Sequence, residues 1–85
     1  MIKDTQIIES DKDFLTTFAK GLEVIKSFNE ETPSLTITEL ANKVGLSRAA
    51  ARRFLLTLDR LGYLHHNNGQ YSLGAKILDL GYSYL

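Results

Sequence analysis

Apolar residues recur at helical spacing along the first third of the chain. Phe14, Leu15, Phe18, Leu22, Ile25 and Phe28 fall near one stripe at about 100° per residue and predict a first helix. Its start is open. Ser10 and Asp13 have capping-box spacing, while Thr16 or Thr17 would cap a later start. Gly21 interrupts the pattern at a cost of about 1 kcal/mol against alanine, which a close helix contact would account for. Thr32-Pro33-Ser34 ends the unit, because the residue before proline is pushed out of the helical region.

A sharper pair of helices follows. Thr36 and Glu39 make a T-x-x-E capping box, and Leu40, Ala41 and Val44 give the short helix behind it one buried side. Gly45 supplies the left-handed residue that stops it. Ser47 is placed to cap a third helix that runs to Leu61 and ends at Gly62. In that helix Ala51, Phe54, Leu55, Leu58 and Leu61 form the core stripe. Ala49, Arg52, Arg53, Leu56 and Arg60 lie opposite, with Leu56 out of character on a polar face. Two helices joined by a tight glycine-containing turn constitute a helix-turn-helix.

Tyr63-Leu64-His65-His66 and Gln70-Tyr71-Ser72-Leu73 then flank Asn67-Asn68-Gly69. Asn-Gly between two short β-compatible runs predicts a hairpin with a type I′ turn. Directly after a helix-turn-helix, such a hairpin is a wing, which either reaches DNA or only completes the core. In Gly74–Leu85 a last stripe of Ile77, Leu78, Gly81, Tyr82 and Leu85 predicts a short amphipathic helix. A helix of that length is marginal alone in water, so it docks on its own domain or on the same helix of a second copy. The expected fold is mainly α with a small antiparallel β-hairpin, a winged helix-turn-helix. Residues 1–13 form an N-terminal arm, 14–73 the winged domain, and 74–85 the start of a linker or dimerisation helix.

Composition narrows the class. Eighty-five residues, 44% hydrophobic and 24% charged, suit one small globular domain. No apolar run approaches the ~18 residues of a membrane span, and the N-terminus, with its scattered acids, does not read as a signal peptide. The absence of cysteine excludes disulfides and thiolate metal sites and fits a cytoplasmic location.

The formal net charge is zero, but its distribution is uneven. Residues 1–35 carry four lysines against seven acids, a net −3. Residues 36–62 carry Lys43, Arg48, Arg52, Arg53 and Arg60 against Glu39 and Asp59, a net +3. Attraction to phosphate depends on a local basic face rather than on the sum. Arginines beside a small residue on an outward helix face suit a recognition helix, since guanidinium forks grip phosphates or guanine edges while alanine lets the backbone approach. Recognition helix 47–61 is therefore expected in the major groove, with wing 63–73 near the backbone or minor groove. The alternative is a winged helix that serves as a protein-interaction module.

Catalytic and metal chemistries find little support. His65 and His66 are adjacent on a strand, so their rings point to opposite faces and do not share a metal. Ser47 reads as a helix cap, because no histidine or lysine is spaced to activate it as a nucleophile. No phosphate-cradling glycine loop appears, and no cofactor is expected.

From Phe18 to Leu85 the sequence resembles the N-terminal DNA-binding domain of the IclR family of bacterial transcriptional regulators. The resemblance is carried by Ala19-Lys20-Gly21-Leu22-Glu23-Val24-Ile25, Leu35-Thr36-Ile37-Thr38-Glu39-Leu40-Ala41, Gly45-Leu46-Ser47-Arg48-Ala49-Ala50-Ala51-Arg52-Arg53 and Leu58-Asp59-Arg60-Leu61-Gly62-Tyr63. The Ala-Ala-Ala-Arg-Arg run and the closing Gly-Tyr-Ser-Tyr-Leu resemble in particular the branch that controls catabolism of aromatic acids such as protocatechuate and 4-hydroxybenzoate. The resemblance implies a duplex DNA operator as partner, a homodimer or tetramer, and a small aromatic effector held by a second domain that these 85 residues do not contain. Ala49-Ala50 depart from the serine or threonine of many members, which shifts phosphate contact onto Ser47, Arg48 and the other arginines. The expected DNA-contacting set is Thr36, Ser47, Arg48, Ala49, Arg52, Arg53, Asn68 and Gln70.

Overall fold

The computed structural model describes residues 12–85. Four helices and three strands follow in the order α1 (Thr16–Lys26), β1 (Ser34–Leu35), α2 (Ile37–Val44), α3 (Arg48–Arg60), β2 (Leu64–Asn67), β3 (Gln70–Leu73) and α4 (Lys76–Tyr82). The hairpin expected from the turn signal is part of a three-stranded antiparallel sheet in the order β1-β3-β2. Strand β1 carries no local signal of its own. It exists because Ser34 and Leu35 pair with Ser72 and Tyr71.

The central helices start and stop as their caps dictate. The Thr36 hydroxyl accepts from the Glu39 N–H at 3.1 Å, and the Glu39 carboxylate accepts from the Thr36 N–H at 2.9 Å. Gly45 closes α2 at φ 71° and ψ 40°, and the Leu46 N–H reaches back across it to the Ala41 carbonyl at 2.9 Å. Ser47 caps α3 by accepting from the Ala50 N–H at 3.0 Å. The far end of α3 repeats the device: Gly62 lies at φ 90°, and the Tyr63 N–H bonds to the Leu58 carbonyl at 2.9 Å. In the hairpin, Asn68 (φ 52°) and Gly69 (φ 78°) take the two left-handed positions of the type I′ turn.

The core gathers Val24, Phe28, Leu35, Leu40, Ala41, Ala51, Leu55, Leu64 and Tyr71 from every element except α4. Val24, Leu40, Ala51 and Leu55 are wholly buried. Full burial of one leucine side chain is worth about 1.5–3 kcal/mol, so Leu40 and Leu55 outweigh any single polar contact in the domain.

Lysines also tie the helices together. Helix C-termini leave carbonyls without intrahelical partners and carry partial negative charge, which an ammonium group satisfies. Lys43 of α2 donates to the Ser27 carbonyl at the end of α1. Lys20 of α1 donates to the Val44 carbonyl at the end of α2 (3.4 Å) and pairs with Glu23 at 3.1 Å. Lys76 of α4 donates to the Leu61 carbonyl at the end of α3 (2.8 Å).

Three expectations need correction. Helix α1 has Leu15 at its N-cap with no side-chain cap, and Thr16 and Thr17 lie within the helix, so neither threonine caps it. Asp13 precedes that N-cap, and its suggested partner Ser10 lies outside the described residues. The α1 stripe is only partly the buried face: Leu15, Phe18 and Leu22 are exposed, whereas Phe28, just past the helix, is in the core together with Val24, which the stripe did not include. Phe18, Leu22 and Ile25 instead face Phe54 and Leu58 of α3 across an open groove of about 520 Å³. A Cβ on Gly21 would sit 3.6 Å from the Phe54 ring, an ordinary contact, so the packing there does not require glycine. Leu61, assigned to the core stripe of α3, is 54% exposed because the helix ends at Arg60 and the chain turns away at Gly62.

Among the described residues no helix is long and apolar enough to cross a membrane. The turn between α2 and α3 yields a direct test. Nothing lies within 4 Å of a Cβ placed on Gly45, so Gly45→Ala carries only the left-handed backbone penalty. We expect a loss of about 1–2 kcal/mol, read as a Tm lower by roughly 5–15 °C in thermal unfolding. An unchanged Tm would show that the turn does not depend on the left-handed residue.

Candidate nucleic-acid interface

The first turn of α3 and the outward face behind it concentrate cationic side chains. Arg48, Arg52, Arg53 and Arg60 are all exposed. The ion pair Lys20–Glu23 lies elsewhere, on α1, and among the described residues no carboxylate pairs with these arginines. Glu39, an acid within the same basic stretch, is held in the α2 capping box. Among the described residues, then, these guanidinium groups, on the helix that follows the tight turn, have no carboxylate to neutralise them.

Arg48 is oriented from within: its Nε donates to Thr38 Oγ1 at 2.9 Å. That bond uses one of the five guanidinium N–H donors, restrains the plane of the group and leaves the terminal nitrogens as available donors. Arg52 and Arg53 are neighbours in sequence, about 100° apart around the helix. Arg53 borders the groove shared with α1, so Arg52 lies away from that groove. Ala49 is exposed beside Arg48 and adds no bulk to the first turn. Leu56, out of character on this face, is half-buried.

The two hydroxyl residues in the expected set have structural employment. The Thr36 and Ser47 oxygens each accept a backbone N–H at a helix start. Each O–H remains able to donate, so capping and contact with an anion are compatible.

At the wing, Asn68 is exposed at the tip and Gln70 opens β3. Gln70 is not free: Ser34 Oγ on β1 donates to its Oε1 at 3.1 Å, which leaves its amide NH₂ as the available donor. Behind the tip, His66 stacks on buried Tyr71 with centroids 4.2 Å apart and rings 4° from parallel. Its neighbour His65 has Nε2 beside Gly74, so the two imidazoles occupy different faces of the strand.

Thr38 and Ser34 are positioning residues that sequence reading missed. Each acts across space, Thr38 on a residue ten positions on and Ser34 on one thirty-six positions on. The only sequence signal for Thr38 was its place in the first turn of α2, ahead of an arginine in the first turn of α3. Ser34 carried none.

The model of the IclR helix-turn-helix domain matches residues 17–68. The Pca regulon regulatory protein of Pseudomonas putida is 43% identical over 83 residues, covering 98% of this chain and 28% of its own length. The p-hydroxybenzoate hydroxylase transcriptional activator of Acinetobacter baylyi is 38% identical over 74 residues, covering 87% of this chain and 27% of its own length. Among solved structures, an IclR family transcriptional regulator from Brucella abortus has a TM-score of 0.83 at 42% identity, covering 88% of this chain and 30% of that one. The chain therefore spans less than a third of the length of these relatives.

The Thr38–Arg48 bond is separable from the fold, because both residues are exposed and neither enters the core. Thr38→Val removes the acceptor and keeps the side-chain shape. We expect DNA affinity to fall about threefold to tenfold, the worth of one hydrogen bond that pre-orients a charged donor. Thr38→Ser should restore it, with Tm unchanged within a few degrees in both variants. Parental affinity in Thr38→Val, measured by fluorescence anisotropy, would show that the orientation of Arg48 is irrelevant to binding.

Proposed function

The chain belongs to the IclR family and is a sequence-specific DNA-binding domain of a transcription regulator, and from that premise we propose how its residues divide the work. Helix α3 enters the major groove. Arg52 reads a base edge, with guanine favoured because its O6 and N7 match the guanidinium fork. Arg48, Arg53 and Ser47 grip phosphates, Thr36 adds a hydroxyl at the start of α2, and Ala49 lets the helix backbone approach. Asn68 and Gln70 of the wing lie along the backbone or in the minor groove. The observation that carries this reading is the set of exposed arginines on α3, unpaired among the described residues. No observation favours use of the fold as a protein-interaction module.

Two further parts belong to the same proposal. The first is pairing through α4. That helix has no buried residue: Ile77 is half-buried, Leu78 and Tyr82 are 67% and 76% exposed, and Leu85, past its end, is 96% exposed. An apolar stripe left uncovered by its own domain is one a second copy would cover, and a two-fold dimer would present one recognition helix to each half-site. The second is physiological. The relatives named for the Pca regulon and for p-hydroxybenzoate hydroxylase support a cytoplasmic role in controlling genes of aromatic-acid catabolism. In a full-length protein built like those relatives, a small aromatic acid would bind outside the matched region.

Arg52→Ala tests the reading of bases. On the preferred duplex it should cost about 1–3 kcal/mol and flatten the preference at one or two positions. Arg53→Ala should instead weaken all duplexes alike and lower the slope of log affinity against log salt by about one. Unchanged affinity and preference in Arg52→Ala would overturn its assignment.

Pairing is tested by sedimentation across a concentration series, for the parent chain and for Leu78→Asp. We expect association of the parent at roughly micromolar concentration, strengthened by a duplex with two half-sites and abolished by the substitution. A parent that stays monomeric, and binds one half-site as tightly as two, would remove α4 from the account.

A further inference from the structure

We propose that Lys76 fixes the angle at which α4 leaves the DNA-reading body, and so selects the half-site spacing that a pair of chains accepts. The proposal rests on the reading that α3 enters the groove and α4 pairs two copies, and it assigns a role to a residue outside both contacts.

Helix α4 has no fully buried residue, and of its apolar side chains only Ile77 is half-buried, so packing contributes little to its direction. Two polar anchors hold its start. The backbone N–H of buried Gly74 donates to the Tyr63 carbonyl at 2.8 Å, two residues before α4 begins. Lys76, the first residue of the helix, sends Nζ to the Leu61 carbonyl at 2.8 Å and lies 5.1 Å from the Tyr63 ring centroid. The Ile77 and Leu78 N–H groups bond to the Gly74 and Ala75 carbonyls at 3.1 and 3.0 Å, so residues 74 and 75 turn with α4 and the pivot lies at the Gly74 backbone, beside a single bond to Tyr63. Lys76 adds a second point of attachment, and two points define a direction where one does not.

The recipient of that bond matters. Leu61 is the C-cap of α3, so its carbonyl lies at the negative end of the recognition helix, where an ammonium is stabilised by charge as well as by hydrogen bonding. Gly62 lies against the crossing. A Cβ there would sit 3.4 Å from Lys76 Cδ and 3.5 Å from Nζ, and the residue is already left-handed at φ 90°. One lysine thereby couples the last turn of the helix that reads DNA to the first turn of the helix that is to find a partner. Leverage makes the angle consequential. A tilt of about 10° at the end of a ~20 Å arm moves a recognition helix by about 3.5 Å, roughly one base-pair step along the duplex.

The chain has no cysteine, so Asn42→Cys on α2 and Asp79→Cys on α4, both exposed, provide a unique pair of thiols for spin labels. With labelled chain diluted into unlabelled chain, pulsed dipolar spectroscopy should give one narrow intramolecular distance in the parent and a clearly broadened one in Lys76→Met. Lys76→Arg, which keeps a cationic donor above the tyrosine ring, should stay narrow. Circular dichroism confirms that each variant is folded. Binding is then measured on a single half-site and on paired half-sites whose spacing is stepped one base pair at a time. Lys76→Met should bind a single half-site within about twofold of the parent. Its preference for the best spacing should fall from about tenfold to within about threefold, as the fixed geometry that supports bivalent binding is lost. Lys76→Arg should keep the parental preference. A narrow distance in Lys76→Met, or a broadened one with spacing preference intact, would overturn the proposal. So would a large loss of single half-site affinity, which would place Lys76 on the DNA. A parent that binds single half-sites but gains nothing from a second would defeat the pairing reading, and this proposal with it.

Discussion

The left-handed turn at Gly45 and the buried seam between α2 and α3 govern the rest of the domain. Leu40 and Ala41 on one helix, Ala51 and Leu55 on the other, are buried in one core, and the small side chain of Ala51 allows the close approach. Helix α3 starts at the Ser47 cap just past the turn, and α2 is held at its far end by the Thr36 capping box, so their relative axes are set by the turn and the shared core together. That rigidity presents the outward face of α3 as a fixed surface. A reading helix needs this, because a guanidinium displaced by an ångström no longer matches a base edge.

Charge is sorted by residue type on this scaffold. Lys20, Lys43 and Lys76 are occupied inside the domain, each capping the carbonyl end of a neighbouring helix. Arginines line the outer face of α3. The division follows from chemistry. A flexible ammonium suits a single carbonyl at a helix end, whereas the planar guanidinium fork suits phosphates and bases. It also explains how a chain of zero net charge binds a polyanion: the acids lie mostly before residue 36, and the exposed arginines lie after it.

Local signals were legible in the sequence and long-range ones were not. The capping box at Thr36 and Glu39, the stop at Gly45, the cap at Ser47 and the Asn68-Gly69 turn each involve residues within a few positions of one another, and all form as read. Strand β1 was invisible because two residues become a strand only by pairing with β3, far along the chain. The α1 stripe misled for a related reason. Periodicity shows that Phe18 and Leu22 share a side with Ile25, but not which side meets α2, and Val24, off that stripe, joins Phe28 in the core. Of the proposed interface, the exposed arginines of α3 were evident from their helical spacing, while the hydrogen bonds of Thr38 to Arg48 and of Ser34 to Gln70 depended on the fold.

The central claim is that α3 reads bases in the major groove from a rigid mount. Selection of duplexes bound by this chain from a random pool, followed by methylation of guanine N7 in the selected sites, tests it most directly. The account predicts that a short motif emerges, that it contains guanine, and that N7 methylation at that guanine blocks binding in the parent but not in Arg52→Ala. A pool that stays random, or a motif whose binding is indifferent to major-groove methylation, would contradict it.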